Sequence, residues 1–139
     1  MSSPSNLFRT RLLVYFDFEA SHSLDTREVP HPHLWKTVLT FTGEPIKGRI
    51  IDFPELESSI QDDLRSLPGS YLNENRDVLS ECRDFPTCET LGTSIFTLVR
   101  EKTIARLRTK NPTLTILSVQ VQLCEGPRVY GAAIVEADG

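Results

Sequence analysis

The chain has 139 residues, 39% of them hydrophobic, and a formal net charge of −4. That length suits one domain with a single core. Its basic residues are scattered, so no nucleic-acid footprint is visible, and no apolar run approaches the length that spans a bilayer. The N-terminal "MSSPSN" is polar and lacks the apolar stretch of a signal peptide. A soluble, cytoplasmic protein without a membrane partner is therefore expected, with residues 1–7 as a flexible tail and 8–139 as one domain. The three cysteines, Cys82, Cys88 and Cys124, are odd in number and show no CxxC spacing, which argues against a disulfide framework or a zinc knuckle and for free thiols.

The first periodic segment is "LVYFDFEASH", where Val14, Phe16, Phe18, Ala20 and His22 share one side of a strand. His22 ends that apolar face. In "HPHLWKTVLTFTG" a second strand puts His31, His33, Trp35, Thr37, Leu39 and Phe41 on one side, so His31 and His33 point the same way. "GEPIKG" is a turn or loop, and "RIIDF" is a short extended piece that leads into a helix. Asp52 is the candidate N-cap of that helix, with Glu55 three residues on, Pro54 in the first turn and an apolar stripe of Phe53, Leu56, Ile60, Leu64 and Leu67. "LPG" ends it, and a polar, irregular stretch from Ser70 to Pro86 follows.

Thr87 is placed to cap a second helix, in which Leu91, Ile95, Leu98, Val99 and Leu107 recur at helical spacing up to "TKNP" near Asn111. "TLTILSVQVQLCE" and "RVYGAAIVE" alternate as two further strands joined by a turn at Gly126 and Pro127. The order strand, strand, helix, helix, strand, strand implies an α+β fold: an antiparallel sheet with helices on one face.

The chemistry starts with His22, His31 and His33, which are all the histidines of the chain. An HxH pair on a strand offers two imidazoles side by side, and a third at the end of an antiparallel neighbour completes a zinc-type donor set with one position left open. A lone histidine on an apolar face is more often a core residue, but here every histidine converges on two strand ends. Glu125 is the second polar feature. It falls on the side of Leu117, Val119, Val121 and Leu123, so its carboxylate would close an apolar face, which is costly without donors. A helix N-terminus, an arginine, or a ligand with a guanidine-like edge could supply them. In "PTCET", capping accounts for Thr87, and the helix dipole suits Glu89.

These segments together resemble a known family. "FEASHSL", "HPHLWKTVLTFTGEPIKGRIIDFPELESSI", "SYLNE", "PTCETLGTSIFTLV" and "VQVQLCE" follow, in order from about Phe8 to Tyr130, the blocks of the 6-pyruvoyl-tetrahydropterin synthase and 6-carboxy-tetrahydropterin synthase family. The resemblance implies the tunnelling fold, or T-fold: a four-stranded antiparallel sheet with two helices, whose sheets close into a barrel in a trimer and commonly stack as a hexamer. It implies zinc on His22, His31 and His33, and a pterin substrate anchored by Thr87, Glu89 and Glu125. Pro32 replaces the usual glycine of HGH.

The catalytic positions depart from the family pattern. Arg27 stands where the usual enzymes carry a cysteine, and Pro68 and Gly69 stand where they carry an Asp-His pair. Glu28, three residues before His31, instead resembles the glutamate of a branch that cleaves the side chain of dihydroneopterin triphosphate. A carboxylate there can act as a general base; a solvated loop residue is the bland alternative, and Cys82 or Cys88 flanks the "PTCET" segment as another substitute. The implied function is a zinc lyase on a dihydropterin side chain. A pterin-binding oligomer without turnover and a T-fold enzyme for another heterocycle are the alternatives.

Overall fold

The computed structural model describes residues 8–25 and 28–138. The tail expected over residues 1–7, and Arg27, lie outside the described residues. Four strands, β1 (Arg11–His22), β2 (His31–Thr42), β3 (Thr115–Glu125) and β4 (Arg128–Glu136), form one antiparallel sheet in the order β1-β2-β3-β4. The helices α1 (Phe53–Asp63), α2 (Ser80–Asp84) and α3 (Cys88–Leu98) lie between β2 and β3 in sequence. This is the α+β plan expected, and it is the T-fold. No helix among the described residues is long and apolar enough to cross a membrane.

Period two decides which side chains form the core. Val14, Phe18 and Ala20 of β1, and Trp35, Thr37, Leu39 and Phe41 of β2, are buried on the face that the helices cover. Leu56, Ile60, Leu64 and Leu67 close against them from α1 and its exit, and Leu91 and Ile95 from α3. Phe53, the first member of the expected stripe, is 42% exposed. Where α3 crosses the sheet, Gly92 is required: a Cβ there would lie 2.8 Å from the Val135 side chain of β4. On the opposite face Leu13, Tyr15 and Ile134 are exposed.

Several local expectations are revised. Asp52 precedes α1 without a side-chain cap bond, and its carboxylate accepts from Arg49 Nη1 at 3.3 Å instead. The piece "RIIDF" is not a strand: Arg49 makes an isolated bridge back to Ile46, and Ile50 and Ile51 form a bend before α1. The stretch 70–86 is not irregular throughout: a 3-10 turn at Leu72–Glu74 and α2 place Leu72, Val78 and Cys82 in the core. α3 does not run unbroken to Asn111. It passes through a π-helical segment, Val99–Ile104, into a last turn, α4 (Ala105–Leu107), and buried Asn111 then ties the chain to the Glu44 and Ile50 carbonyls at 3.0 and 2.7 Å.

β3 carries the largest revision. Its pairing with β2 shifts between Thr40 and Phe41, so Leu117 is an extra residue and the buried set is Ile116, Val119 and Val121. Cys124 is buried and Glu125, the last residue of the strand, is exposed; a second shift, against β4 at Leu123 and Cys124, adds Tyr130 to β4 and leaves the β3 alternation intact. Glu125 therefore does not close a buried apolar face within this chain; it sits on the rim of an open cleft.

Candidate metal centre and ligand cleft

The last rungs of the β1–β2 ladder pair Ala20 with His33 and His22 with His31. The two strands thereby deliver the three imidazoles to one end of the core face. Each offers a ring nitrogen, and the three lie within 4.8 Å of one another. His22 is buried, His33 half-buried and His31 exposed, a gradient from core to solvent. Trp35, one step further along β2, forms the floor: its ring meets His22 edge-on with centroids 5.3 Å apart, and its Nε1 donates to the Ala20 carbonyl at 3.1 Å.

The second layer of contacts suits metal ligation. His22 Nδ1 lies 2.9 Å from the Pro86 carbonyl, which can only accept. Nδ1 therefore carries the proton, and Nε2 keeps its lone pair for a ligand, the arrangement typical of metal-bound histidines. Burial holds the His22 imidazole below the usual histidine range and the neighbouring His33 and His31 add to this, while the Pro86 carbonyl and Glu28 oppose it. A neutral ring is the ligating form. His33 Nδ1 is buried without a hydrogen-bond partner, which is unfavourable in a dry site unless something else holds that ring. Three imidazole donors open to solvent on one side fit zinc with a position left for substrate.

Glu28 stands beside this group. Its Oε2 is 3.6 Å from His31 Nε2 and accepts the Leu24 N–H at 3.0 Å, while its own N–H donates to the Asp25 carbonyl at 2.9 Å. The "SYLNE" segment braces the same turn. Asn73 accepts from Ser23 N at 2.9 Å and donates to the Ser23 carbonyl at 2.8 Å, and the Tyr71 hydroxyl donates to Ser23 Oγ at 3.1 Å. The position of the missing Asp-His pair holds backbone instead: Gly69, at a φ of +76°, donates to the Glu19 carbonyl at 2.7 Å.

The histidines open onto a cleft of about 520 Å³, whose other walls are Leu24, Pro32, Leu123, Glu125 and Tyr130. Glu125 is thus brought to the candidate metal centre, and so is Tyr130, which the strand pattern alone had not singled out. Thr87 and Glu89 do not line this cleft. Thr87 caps α3, accepting from Thr90 N at 3.2 Å while Thr90 Oγ1 accepts from Thr87 N at 3.0 Å. The cap still reaches the site through the chain, because the preceding residue, Pro86, holds His22. Burial pushes the Cys82 and Cys88 thiols up, which favours inert thiols over nucleophiles. A larger depression of about 680 Å³ at the far end of the sheet, by Arg9, Thr42 and Glu44, contains no metal-ligating cluster among the described residues.

A helix-covered antiparallel sheet of this order, with three histidines at its rim that could hold a metal, defines a protein of the T-fold class. A model of the 6-pyruvoyl tetrahydropterin synthase family matches residues 11–133. The chain belongs to that family. Among solved structures it is similar to the 6-pyruvoyl tetrahydropterin synthase of Caenorhabditis elegans, at 13% identity and a TM-score of 0.68, covering 94% of this chain and 96% of that one. An uncharacterised protein of Wolinella succinogenes is similar at 13% identity and a TM-score of 0.66, covering 94% and 99%. A variant of the Plasmodium vivax 6-pyruvoyltetrahydropterin synthase, in which a catalytic glutamate is changed to alanine, is similar at 18% identity and a TM-score of 0.63, also covering 94% and 99%. No curated protein matches the chain.

Proposed function

We propose that this protein is a zinc-dependent lyase that acts on the side chain of a dihydropterin of the dihydroneopterin triphosphate type, breaking a carbon-oxygen or carbon-carbon bond. The observation that carries this reading is the convergence of His22, His31 and His33, with Glu28 touching the group, on one cleft walled by Glu125. The three histidines would hold the zinc. When bound, it supplies Lewis-acid polarisation of a side-chain oxygen.

This chain's own residues divide the remaining work. Glu28 is fixed by the Leu24 N–H and half-open to solvent, placed to take a proton from the substrate side chain and return it. Glu125 accepts two N–H donors from the aminopyrimidine edge of the ring, as a carboxylate does with a guanidinium. Thr87 and Glu89, outside the cleft of the single chain, complete the ring site across a subunit boundary. The sheet favours such an assembly: β1 and β4 are open edges, and the face away from the helices exposes Leu13, Tyr15 and Ile134. Trimers closing into a barrel, or stacked as a hexamer, would cover both. The catalytic glutamate named for the Plasmodium vivax enzyme supports a carboxylate as base.

One observation favours a second reading, a pterin-binding oligomer without turnover: Pro68 and Gly69 put no acid or base where the family pattern has two. Purified protein with dihydroneopterin triphosphate separates the readings. A lyase gives a cleaved pterin, and Glu28→Gln lowers kcat by roughly 10²- to 10⁴-fold with zinc content and pterin affinity unchanged. An unaltered rate removes Glu28 as base, zinc and pterin binding without product establishes the second reading, and protein that takes up neither sinks both.

A further inference from the structure

We propose that Tyr130 is a positioning residue of the cleft, which aims the Glu125 carboxylate at the guanidine-like edge of a bound pterin from its place as the extra residue of the β3–β4 bulge. The proposal rests on the pterin reading above.

The register supplies the first observation. Leu123 pairs with Gly131 and Cys124 with Val129, so Tyr130 has no partner across the ladder. A bulge interrupts the ladder and turns the side chains around it, and next to a ligand site it commonly re-aims one. Here it turns Tyr130 into the wall of the cleft that His22, His31, His33 and Glu125 share. The neighbouring Gly131 leaves the bulged strand without a side chain beside that turn.

The second observation is the contact made there. Tyr130 and Glu125 wall the same cleft, and the nearby carboxylate pushes the phenol above the usual tyrosine range, so the hydroxyl stays protonated and able to donate to it. Arg128, the residue paired with Glu125 across the Gly126–Pro127 turn, does not neutralise that carboxylate among the described residues. Its guanidinium instead lies over the Tyr130 ring, 4.9 Å from the centroid. The ring is thus held from one side by Arg128, which leaves its hydroxyl to donate to Glu125 from the other. Glu125 is exposed, and without such a tether its side chain would have to be ordered at the moment of binding, which lowers affinity. A structural role alone would bury the tyrosine; at 53% exposure its ring is open to a ligand.

The test uses the zinc-loaded full chain and two probes read by fluorescence: neopterin, which has the 2-amino group, and lumazine, which has a carbonyl in its place. The wild type is expected to prefer neopterin. Tyr130→Phe keeps the ring and removes the hydroxyl; it should weaken neopterin binding about tenfold, the size of one hydrogen bond to a charged group, and leave lumazine binding and zinc content unchanged. Tyr130→Leu should lose at least as much. Adding Glu125→Gln to Tyr130→Phe should cost less than it does in the wild type, because the two groups act as one unit. Equal loss for both probes, or none for neopterin, overturns the assignment while leaving the pterin reading intact. Failure of the wild type to bind neopterin overturns both.

Discussion

The two strand pairs that end at the cleft deliver their side chains by opposite means. β1 and β2 run in unbroken register from Arg11 opposite Thr42 to His22 opposite His31, and the candidate metal set follows from alternation alone. β4 reaches the same place through a shift opposite Leu123 and Cys124, and Tyr130 depends on that irregularity, while Glu125 ends β3 beside it. The regular pair is backed by the core: His22 stands on Trp35 and is held by Pro86. The irregular pair lies at a hairpin tip, with Glu125, Arg128, Val129 and Tyr130 all exposed. A metal needs fixed donors, whereas a ring anchor can tolerate adjustment on binding. The division of labour in the proposed function matches this difference in rigidity.

Mutations can break this comparison, beginning with the largest effect. His33→Ala removes one of three donors from the rigid side and is expected to abolish stoichiometric zinc in the purified protein, measured by elemental analysis, while the fold survives because His33 is only half-buried. Full zinc retention would mean that the histidine set is not the metal centre. Trp35→Ala tests the floor. The ring is fully buried and its indole donates to Ala20, so a loss of about 3–5 kcal/mol in denaturant unfolding is expected, with zinc binding impaired as well. A loss below about 1 kcal/mol would show that the histidines are positioned without their apolar support. Asn73→Ala should have a smaller effect, about 1–3 kcal/mol, because it strips both backbone partners from Ser23 next to His22.

The contrast between the pairs also marks where sequence reasoning succeeds. Alternation in β1 and β2 places Val14, Phe18, Ala20, Trp35, Leu39 and Phe41 inside, and carries His22, His31 and His33 with them, because a one-residue slip would expose the whole apolar set. β3 offers the same alternation on paper, yet the extra residue at Leu117 puts Ile116 in the core in its place, and in β4 the extra residue at Tyr130 breaks the alternation. No hydrophobic pattern announces such an insertion. The one cue in "RVYGAAIVE" is Gly131 inside a strand, which suggests a bulge beside it. In the helices, Asp52 has the right spacing to cap, but Arg49 competes for its carboxylate. The widened turn at Val99–Ile104 keeps apolar residues on the buried side, so helical spacing alone does not reveal it.

Thr87→Ala has the smallest expected effect and links the two sides. Its hydroxyl caps α3 and its backbone N–H is taken by Thr90, so replacement should cost about 1 kcal/mol, or about 4 °C in Tm. Because Pro86 is the adjacent residue and holds His22 Nδ1, loosening the cap should also weaken zinc affinity, by no more than about tenfold, the lower end for an outer partner of a metal ligand. Thr87→Ser keeps the capping oxygen and should restore both. The third readout separates a cap from an anchor. If Thr87 only holds the helix, the alanine variant saturated with zinc binds neopterin as tightly as the wild type. If its hydroxyl reaches the ring in the assembled oligomer, neopterin binding falls even with zinc saturated, and serine recovers it. The first outcome would assign ring recognition to the bulged hairpin, while the second would make the α3 N-terminus a shared wall of the site.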